Sequence, residues 1–138
     1  MKLIEGEAPV FTNLTIFKTA HAMATHAGQR QALASQNVAN SDTPGYQARD
    51  VEQFKAVFSS DGGAGTMRSS RAGHLNGATD PTGKWSEIEP DLPADPNDNT
   101  VSVELEILRA VEAKRQHDRA IAIYKSSLSI LRTSLGRA

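Results

Sequence analysis

The sequence of 138 residues contains no cysteine, which excludes disulfides, thiolate catalysis and cysteine-based metal sites. Aromatic residues make up only 5% of the chain, too few for a platform on which nucleic-acid bases stack. No charge is in excess either, because 15 Lys and Arg residues face 16 Asp and Glu residues, for a formal net charge of −1. A chain so balanced has no overall field to attract nucleic acid or anionic lipid.

Long apolar segments are also missing. The longest unbroken apolar run, Ala120 to Tyr124, is far shorter than a membrane-spanning helix. The stretch from Met1 to Glu7 carries two acids where a secretory signal would need apolar residues. We therefore expect no insertion into lipid, and export, if it occurs, by a route that does not read a cleaved apolar signal.

Residue patterns typical of catalysis or cofactor binding are absent from the sequence. His21 and His26 lie about 140° apart on a helix, so they cannot chelate one metal ion, and we interpret them as ordinary surface or seam histidines. The segment from Gly77 to Trp85 has the wrong glycine spacing for a phosphate loop, and it lacks the Ser or Thr that would bind magnesium. No nucleophile elbow and no carboxylate pair in an apolar setting occur. The sequence predicts neither an enzyme nor a cofactor or metal site.

A first helix is predicted from about Thr12 to Asn40, with Thr12 or Asn13 as its N-cap. Apolar residues recur along it at spacings of three and four, which places them on one stripe with Gln31 as the polar exception. Most are alanines, and small side chains allow another helix to approach closely. The stripe consists of Phe17, Ala20, Ala24, Ala27, Ala34 and Val38.

A second helix is predicted from near Val101 almost to the end of the chain. Its residues step by three and four in the pattern of a coiled-coil seam, interrupted by Lys114 and His117. These two are either solvated positions that set the register or residues that face a charged groove on another subunit. We expect the two helices to pair with each other and with copies in neighbouring molecules. The stripe of the first helix forms the predicted assembly seam together with the larger apolar residues of the second helix, which are Val103, Ile107, Ile121, Tyr124, Leu128, Leu131 and Leu135.

The middle of the chain differs from both ends. Residues 53–58 could form a short strand or a helical turn, and the glycine-rich residues 59–65 predict a flexible break. Residues 76–100 contain four prolines, and five acids lie around the last three of them, which favours a mobile or partner-ordered loop. The predicted fold is mainly α, with N-terminal (1–46) and C-terminal (101–138) helical regions that pair as a coiled-coil hairpin. Residues 47–100 form an extended, partly disordered middle segment. We expect the isolated chain to be only partly ordered, because neither helix buries its seam without neighbours.

A dense group of turn residues ends the first helix. Asn40 is suited to the left-handed conformation that terminates a helix, and Pro44 prevents the helix from resuming. Pro44 and Gly45 fit the central positions of a type II turn, while Asp42 and Thr43 can bond to nearby amides. A helix-terminating turn is by itself sufficient to explain these residue types. The full predicted turn motif is Asn37, Asn40, Asp42, Thr43, Pro44, Gly45 and Tyr46.

The run from Asn37 to Tyr46, N-V-A-N-S-D-T-P-G-Y, closely resembles the signature of the bacterial flagellar rod and hook family. In that family a long N-terminal helix leads into the pattern A-N-N-I/L-A-N-x-x-T-P-G-Y/F. The residues from Gln47 to Val51, the pair His74-Leu75 and the run from Asn97 to Glu106 are similar to a small rod subunit of the family. The resemblance thus covers nearly the whole chain. Asp98 stands where the family often has glycine, and Ser102 where it has aspartate.

The resemblance implies a structural subunit without cofactor. Such subunits are made in the cytoplasm, leave through the flagellar type III export apparatus and assemble into the rod of the basal body, which spans the periplasm. Their terminal helices pair into an inner coiled-coil tube that transmits torque from motor to hook. The implied partners are copies of the chain, other rod proteins, the FliE adaptor and the flagellar export gate, with no nucleic acid. Two alternatives stay open: another small rod subunit, and a cytosolic helical export adaptor or chaperone.

Overall fold

The fold is a hairpin of two long helices. The computed structural model describes residues 8–55 and 85–136, with side chains from residue 16 onward. Helix α1 spans Ala8–Ala39 and helix α2 spans Val103–Leu135, so each is about 50 Å long at 1.5 Å per residue. Contacts join Asn37 to Glu106, His26 to Gln116 and Phe17 to Tyr124. Across these contacts the residue number in α2 rises as the residue number in α1 falls, so the helices are antiparallel. The predicted mainly α hairpin is confirmed.

The start and the end of α1 both differ from the sequence prediction. The helix begins at Ala8, so Thr12 and Asn13 lie inside it and neither is its N-cap. Pro9 in the first turn is compatible with this earlier start, because the amides there have no partner within the helix. Asn40 does not take the left-handed conformation, which among the described non-glycine residues only Asp98 adopts. The Asn40 side-chain amide instead donates to Gln36 O at 2.8 Å.

Ser102 caps the start of α2. Its backbone is extended (φ −99°, ψ 115°), and its hydroxyl oxygen accepts a hydrogen bond from Leu105 N at 3.4 Å. The same hydroxyl donates to Glu104 Oε2 at 3.1 Å. The pKa of Glu104 is lowered, first by a hydrogen bond from its own backbone N–H and then by this hydroxyl. Serine is among the preferred N-cap residues, so α2 begins with a satisfied first turn.

Small residues at seven-residue spacing form the contact between the helices. Seven residues are close to two helical turns, so they return to nearly the same face. Because these side chains are short, the helices approach closely, but each removes little apolar area from water. The small buried residues at this spacing are Ala20, Ala27 and Ala34 of α1 and Ala113, Ala120 and Ser127 of α2, and buried Glu106 continues the spacing on α2.

A two-stranded sheet and an extended segment lie against the hairpin. Strand β1 (Asp50–Val51) pairs antiparallel with β2 (Glu87–Ile88), and Asp50 is opposite Ile88. Residues 54 and 55 have helical backbone, which agrees with the helical turn predicted as one alternative for residues 53–58. Residues 56–58 and the predicted flexible break at 59–65 lie outside the described residues. Residues 85–95 are extended and residues 96–98 form a turn, and this chain itself holds part of the segment: the Gln29 side chain donates to Trp85 O at 2.8 Å and accepts from Trp85 N at 2.9 Å. Residues 76–84 are not described.

Candidate assembly site

The turn after α1 has the type II geometry that its sequence predicts. Gly45 has a φ of +70°, and Tyr46 N donates to Thr43 O at 3.3 Å, so Pro44 and Gly45 occupy the central positions. The Thr43 hydroxyl donates to Asn40 Oδ1 at 3.3 Å. The acceptor is the oxygen of the Asn40 side-chain amide. Asp42, Pro44 and Gly45 are exposed.

Asn99 clamps this turn to the start of α2. Its buried side-chain amide donates to Asn40 O at 2.9 Å, Ser41 O at 2.9 Å and Thr43 O at 2.8 Å. Its side-chain oxygen accepts from Val101 N at 2.8 Å. Sequence reasoning missed Asn99 as a site residue because the carbonyls it binds lie 56 to 59 positions earlier in the chain.

Backbone bonds reinforce the clamp on both sides of Asn99. Gly45 N donates to Asn97 O at 2.9 Å, and Thr100 N donates to Tyr46 O at 3.1 Å. Asp98, between them, has a φ of 63° in the left-handed region. Glycine adopts that conformation without strain, and Asp tolerates it better than most residues. The resembled family's frequent glycine at this position has the same backbone explanation.

Asn37 lies at the centre of a buried polar network. It is fully buried (0% exposed), and its amide donates to Glu106 Oε2 at 3.0 Å and to Arg49 O at 2.7 Å. Its side-chain oxygen accepts from Arg49 N at 3.1 Å and from the Tyr46 hydroxyl at 3.2 Å. One side chain thus joins α1, the turn, the segment before β1 and α2.

Charges of alternating sign continue the network beyond Glu106, which is 1% exposed. Arg109 Nη1 donates to Glu106 Oε1 at 2.6 Å, and Arg109 Nε lies 3.5 Å from Asp50 Oδ2. Arg30 Nε reaches Asp50 Oδ1 at 3.2 Å from the other helix. Buried charges are tolerated when they are paired in this way, and such pairs favour one geometry of the surrounding elements.

His26 forms a second buried cluster. Its Nε2–H donates to Glu52 O at 2.7 Å, and its Nδ1 accepts from Gln116 Nε2 at 2.9 Å, an arrangement that needs the neutral ring. The rings of Phe54 and Trp85 pack edge-to-face against it, with centroids 5.5 and 5.2 Å away. Burial is the main cause that lowers the His26 pKa from 6.5. His26 is a core residue, more deeply buried than the sequence indicated. No three His, Asp or Glu side chains converge as metal ligands within the described residues.

The predicted assembly seam divides between the interior and the surface. Ala20, Ala27 and Ala34 are buried against α2, Ala24 is half-buried, and Phe17 packs edge-to-face on Tyr124 with centroids 5.1 Å apart. Ile121, Leu128 and Leu131 are half-buried. The exposed seam residues are Val38, Val103, Ile107, Tyr124 and Leu135.

The hairpin contact of α2 is rotated away from the predicted seam. Buried Glu106, Ala113, Ala120 and Ser127 each come one residue before Ile107, Lys114, Ile121 and Leu128. Ile107 is consequently 57% exposed and Leu135 80% exposed. Lys114 and His117 are also exposed; Lys114 Nζ lies 3.2 Å from Asp118 Oδ2. Lys114 and His117 were predicted either to be solvated positions that set the register or to face a charged groove on another subunit. Both alternatives require the two side chains to be exposed in a single chain.

Comparison with known proteins identifies the family. The family model described as flagella basal body rod protein matches residues 21–47, which include Asn37 and the whole type II turn. The flagellar basal body rod protein FlgB of Cereibacter sphaeroides is 31% identical over 108 residues, which cover 77% of this chain and 82% of the relative. The chain belongs to the FlgB family of flagellar basal body rod proteins. Other family members agree: FlgB of Agrobacterium fabrum is 26% identical over 116 residues (82% of this chain, 87% of the relative), and FlgB of Escherichia coli is 31% identical over 102 residues (68% and 73%).

Membership confirms the resemblance drawn from the residues of the turn. The FlgB family is structural and is not a family of enzymes. Neither described helix is long and apolar enough to cross a bilayer. Within the chain, the matched segment contains the C-terminal half of α1, with His26, Arg30 and Asn37, so both buried clusters contain residues of the segment that defines the family.

Proposed function

We propose that the chain is a structural subunit of the proximal rod that self-assembles through its terminal helices and transmits torque from motor to hook. The observation that carries this proposal is the row of large apolar side chains exposed along α2. Within it Ile107, Leu108 and Val111 lie three and four positions apart on the helix and form one exposed apolar patch, which is a sign of a protein–protein contact. The row consists of Val103, Ile107, Leu108, Val111, Ile123, Tyr124, Ile130 and Leu135.

The hairpin is built to carry a load between neighbours. Polar contacts fix α1, the turn and the sheet to α2 at Asn37, Asp50 and Asn99, so a force on one helix reaches the other without sliding. The apolar row lies outside this joint and is available for adjacent copies. Contacts between unlike surfaces of successive copies extend into a helical assembly.

The proposal includes a route and partners. The chain leaves the cytoplasm through the flagellar type III export apparatus, meets the export gate and the FliE adaptor, and joins other rod proteins. The FlgB family membership supports this placement over another small rod subunit such as FlgC. In this role the chain performs no catalysis and carries no cofactor.

Mass spectrometry of purified hook–basal bodies from the source organism tests the placement. We expect the chain there, cross-linked to the FliE adaptor by a short amine-reactive reagent. Recovery in the basal body next to distal rod proteins instead would support the other rod position. Recovery only in the cytosol, bound to another axial protein, would contradict the proposal and favour an export chaperone.

A double variant tests the apolar row. Ile107→Ser with Leu108→Ser removes two exposed side chains, so the folded monomer should lose less than about 1 kcal/mol in all, while motility on soft agar should be lost. Lys125→Ser with Arg132→Ser, two exposed polar positions on the same helix, should leave motility intact. Normal motility of the Ile107/Leu108 variant would show that the row is not an assembly surface.

A further inference from the structure

A cleft with basic walls lies beside the middle of the hairpin. It has a volume of about 410 Å³ and is formed by α1, α2 and residues 53–55. Four cationic side chains line it, Arg30, Lys55, Arg115 and Arg119, against the single carboxylate of Glu112. The excess of positive charge indicates an anionic occupant.

Two of these cations have no charged or hydrogen-bonding partner among the described residues. Arg30 pairs with Asp50, but Arg115 and Arg119 are exposed and make no ion pair or hydrogen bond with any described residue. They are four positions apart on α2, so they lie side by side and repel each other unless an anion lies between them. Met23 and Phe54 add apolar surface to the cleft. An acidic peptide segment that also carries apolar side chains fits these walls better than a small inorganic anion.

The chain itself contains such a segment, residues 87–98, here called the acidic strap. Its residues 87–95 are extended and include Pro90 and Pro93, so little further conformational entropy is lost when this part is bound. It includes Ile88 and Leu92 and contains no Lys or Arg. Of the acids in the strap, only Glu87 forms an ion pair with a described residue, namely Arg49 at 3.7 Å. Its exposed acids are Glu87, Glu89, Asp91, Asp95 and Asp98.

The C-terminal half of the strap cannot reach the cleft of its own chain. Asp95 N donates to Asn99 O and Asp98 N donates to Asp95 O, and Asn99 is clamped to the turn at the end of the hairpin. Arg115 and Arg119 lie about 20 and 26 Å further along α2 from Ser102, at 1.5 Å per residue. A second copy displaced along the hairpin axis can bring its own strap to this cleft.

We propose that the acidic strap of one copy docks in the basic cleft of the next, in a head-to-tail contact. This inference rests on the proposed self-assembly and identifies one of its surfaces. The contact joins two unlike surfaces, so a pair of copies still has a free cleft at one end and a free strap at the other. Such a contact extends without closing into a dimer, and its charges set the choice of partner and the register.

Charge reversal in the purified full-length chain tests the contact, with sedimentation velocity as the measurement. The cleft variant, Arg115→Glu with Arg119→Glu, and the strap variant, Asp91→Lys with Asp95→Lys, should each weaken self-association about tenfold. A mixture of the two should associate again in alternating order, because the unchanged strap of the cleft variant matches the unchanged cleft of the strap variant and the two reversed surfaces match each other. The chain with all four substitutions should associate again. Lys125→Glu with Arg132→Glu changes the charge equally on α2 outside the cleft and should have no effect.

A disulfide gives an independent readout, since the chain has no cysteine of its own. The variant with Asp95→Cys and Arg119→Cys should form oxidised dimers and longer chains. Cross-linking only within one chain would overturn the inference. So would self-association of the cleft variant equal to that of the wild type, or a wild-type chain that stays monomeric at low salt. Mass spectrometry of basal bodies tests the proposed rod function whether or not the strap docks in the cleft. Failure of the strap–cleft contact can therefore be distinguished from failure of the proposed function.

Discussion

The buried side chains of Asn37 and Glu106, 69 positions apart in the sequence, are joined by a hydrogen bond of 3.0 Å. This bond fixes the end of α1 at one point along α2. The alanines that form most of the helix contact cannot do so, because short apolar side chains fit each other almost equally well at several axial offsets. The register of the hairpin therefore depends on polar side chains that have only one arrangement in which all partners are satisfied.

Replacement of Asn37 should weaken the fold strongly. Asn37→Ala leaves the Glu106 carboxylate and the backbone N–H and C=O of Arg49 without their partner, so we expect a loss of about 2–4 kcal/mol in the free energy of unfolding. Urea unfolding followed by circular dichroism measures it. Gln36→Ala, the same truncation at the exposed neighbour, should change stability by less than about 0.5 kcal/mol. Equal losses in the two variants would show that the buried network does not stabilise the hairpin.

Asn99→Asp should open the clamp on the turn. The change keeps the shape of the side chain but replaces the amide donor by a carboxylate that faces the carbonyls of Asn40, Ser41 and Thr43. We expect a loss of about 2–3 kcal/mol, with faster hydrogen exchange at Gly45 and Thr100. Asn97→Asp is the matched control, since Asn97 uses its side chain only as an acceptor, from Asn99 N. The clamp would be contradicted if both variants unfolded at the same urea concentration.

The sequence predicts those parts of the fold whose signal is local. Apolar periodicity predicts both helices, and Pro44-Gly45 predicts the type II turn, because each depends on residues within a few positions of each other. The predicted N-cap at Thr12 or Asn13 was wrong because capping residues are also tolerated inside a long helix.

The polar residues of the core could not be predicted in this way. Glu106 and His26 are ordinary surface residue types, and their burial depends on Asn37, Arg109 and Gln116, which the fold brings to them from elsewhere. The periodicity of α2 marks its larger apolar residues, whereas the hairpin contact uses Ala113 and Ala120 beside them. Periodicity alone thus identified an apolar face without showing that the hairpin leaves much of it exposed.

Two glycines should respond to alanine in opposite directions. Gly45 has a φ of +70°, and a Cβ added there would meet no atom within 4 Å, so the cost of Gly45→Ala is backbone strain, about 1–2 kcal/mol. Gly28 lies inside α1, where an added Cβ also meets nothing within 4 Å, so Gly28→Ala should stabilise by about 0.5–1 kcal/mol. Thermal unfolding midpoints of the two variants measure this. An unchanged or raised midpoint for Gly45→Ala would contradict the left-handed turn. Gly45→Val should cost more and impair rod assembly, because a β-branched residue resists positive φ.

His26 should make the stability of the chain depend on pH. Burial lowers its pKa in the folded chain from 6.5, and protonation would also place a proton on Nδ1, where Gln116 donates. Below pH 6.5 the unfolded chain therefore binds a proton that the folded chain does not, which favours unfolding. The contribution is fully present above pH 6.5 and is lost as the pH falls toward the lowered pKa, at up to about 1.4 kcal/mol per pH unit.

Urea unfolding at pH 7.5, 6.5 and 5.5 separates this effect from the carboxylates, whose ordinary pKa values lie lower. His26→Gln should be less stable than the wild type at pH 7.5 but should lose less stability between pH 6.5 and 5.5, because it has no ring to protonate. His21→Gln, a change at an exposed position of the same helix, should keep the wild-type slope. If His26→Gln retained that slope as well, another group would be responsible for the pH dependence. The neutral His26 that joins Glu52 and Gln116 would then not limit stability in acid.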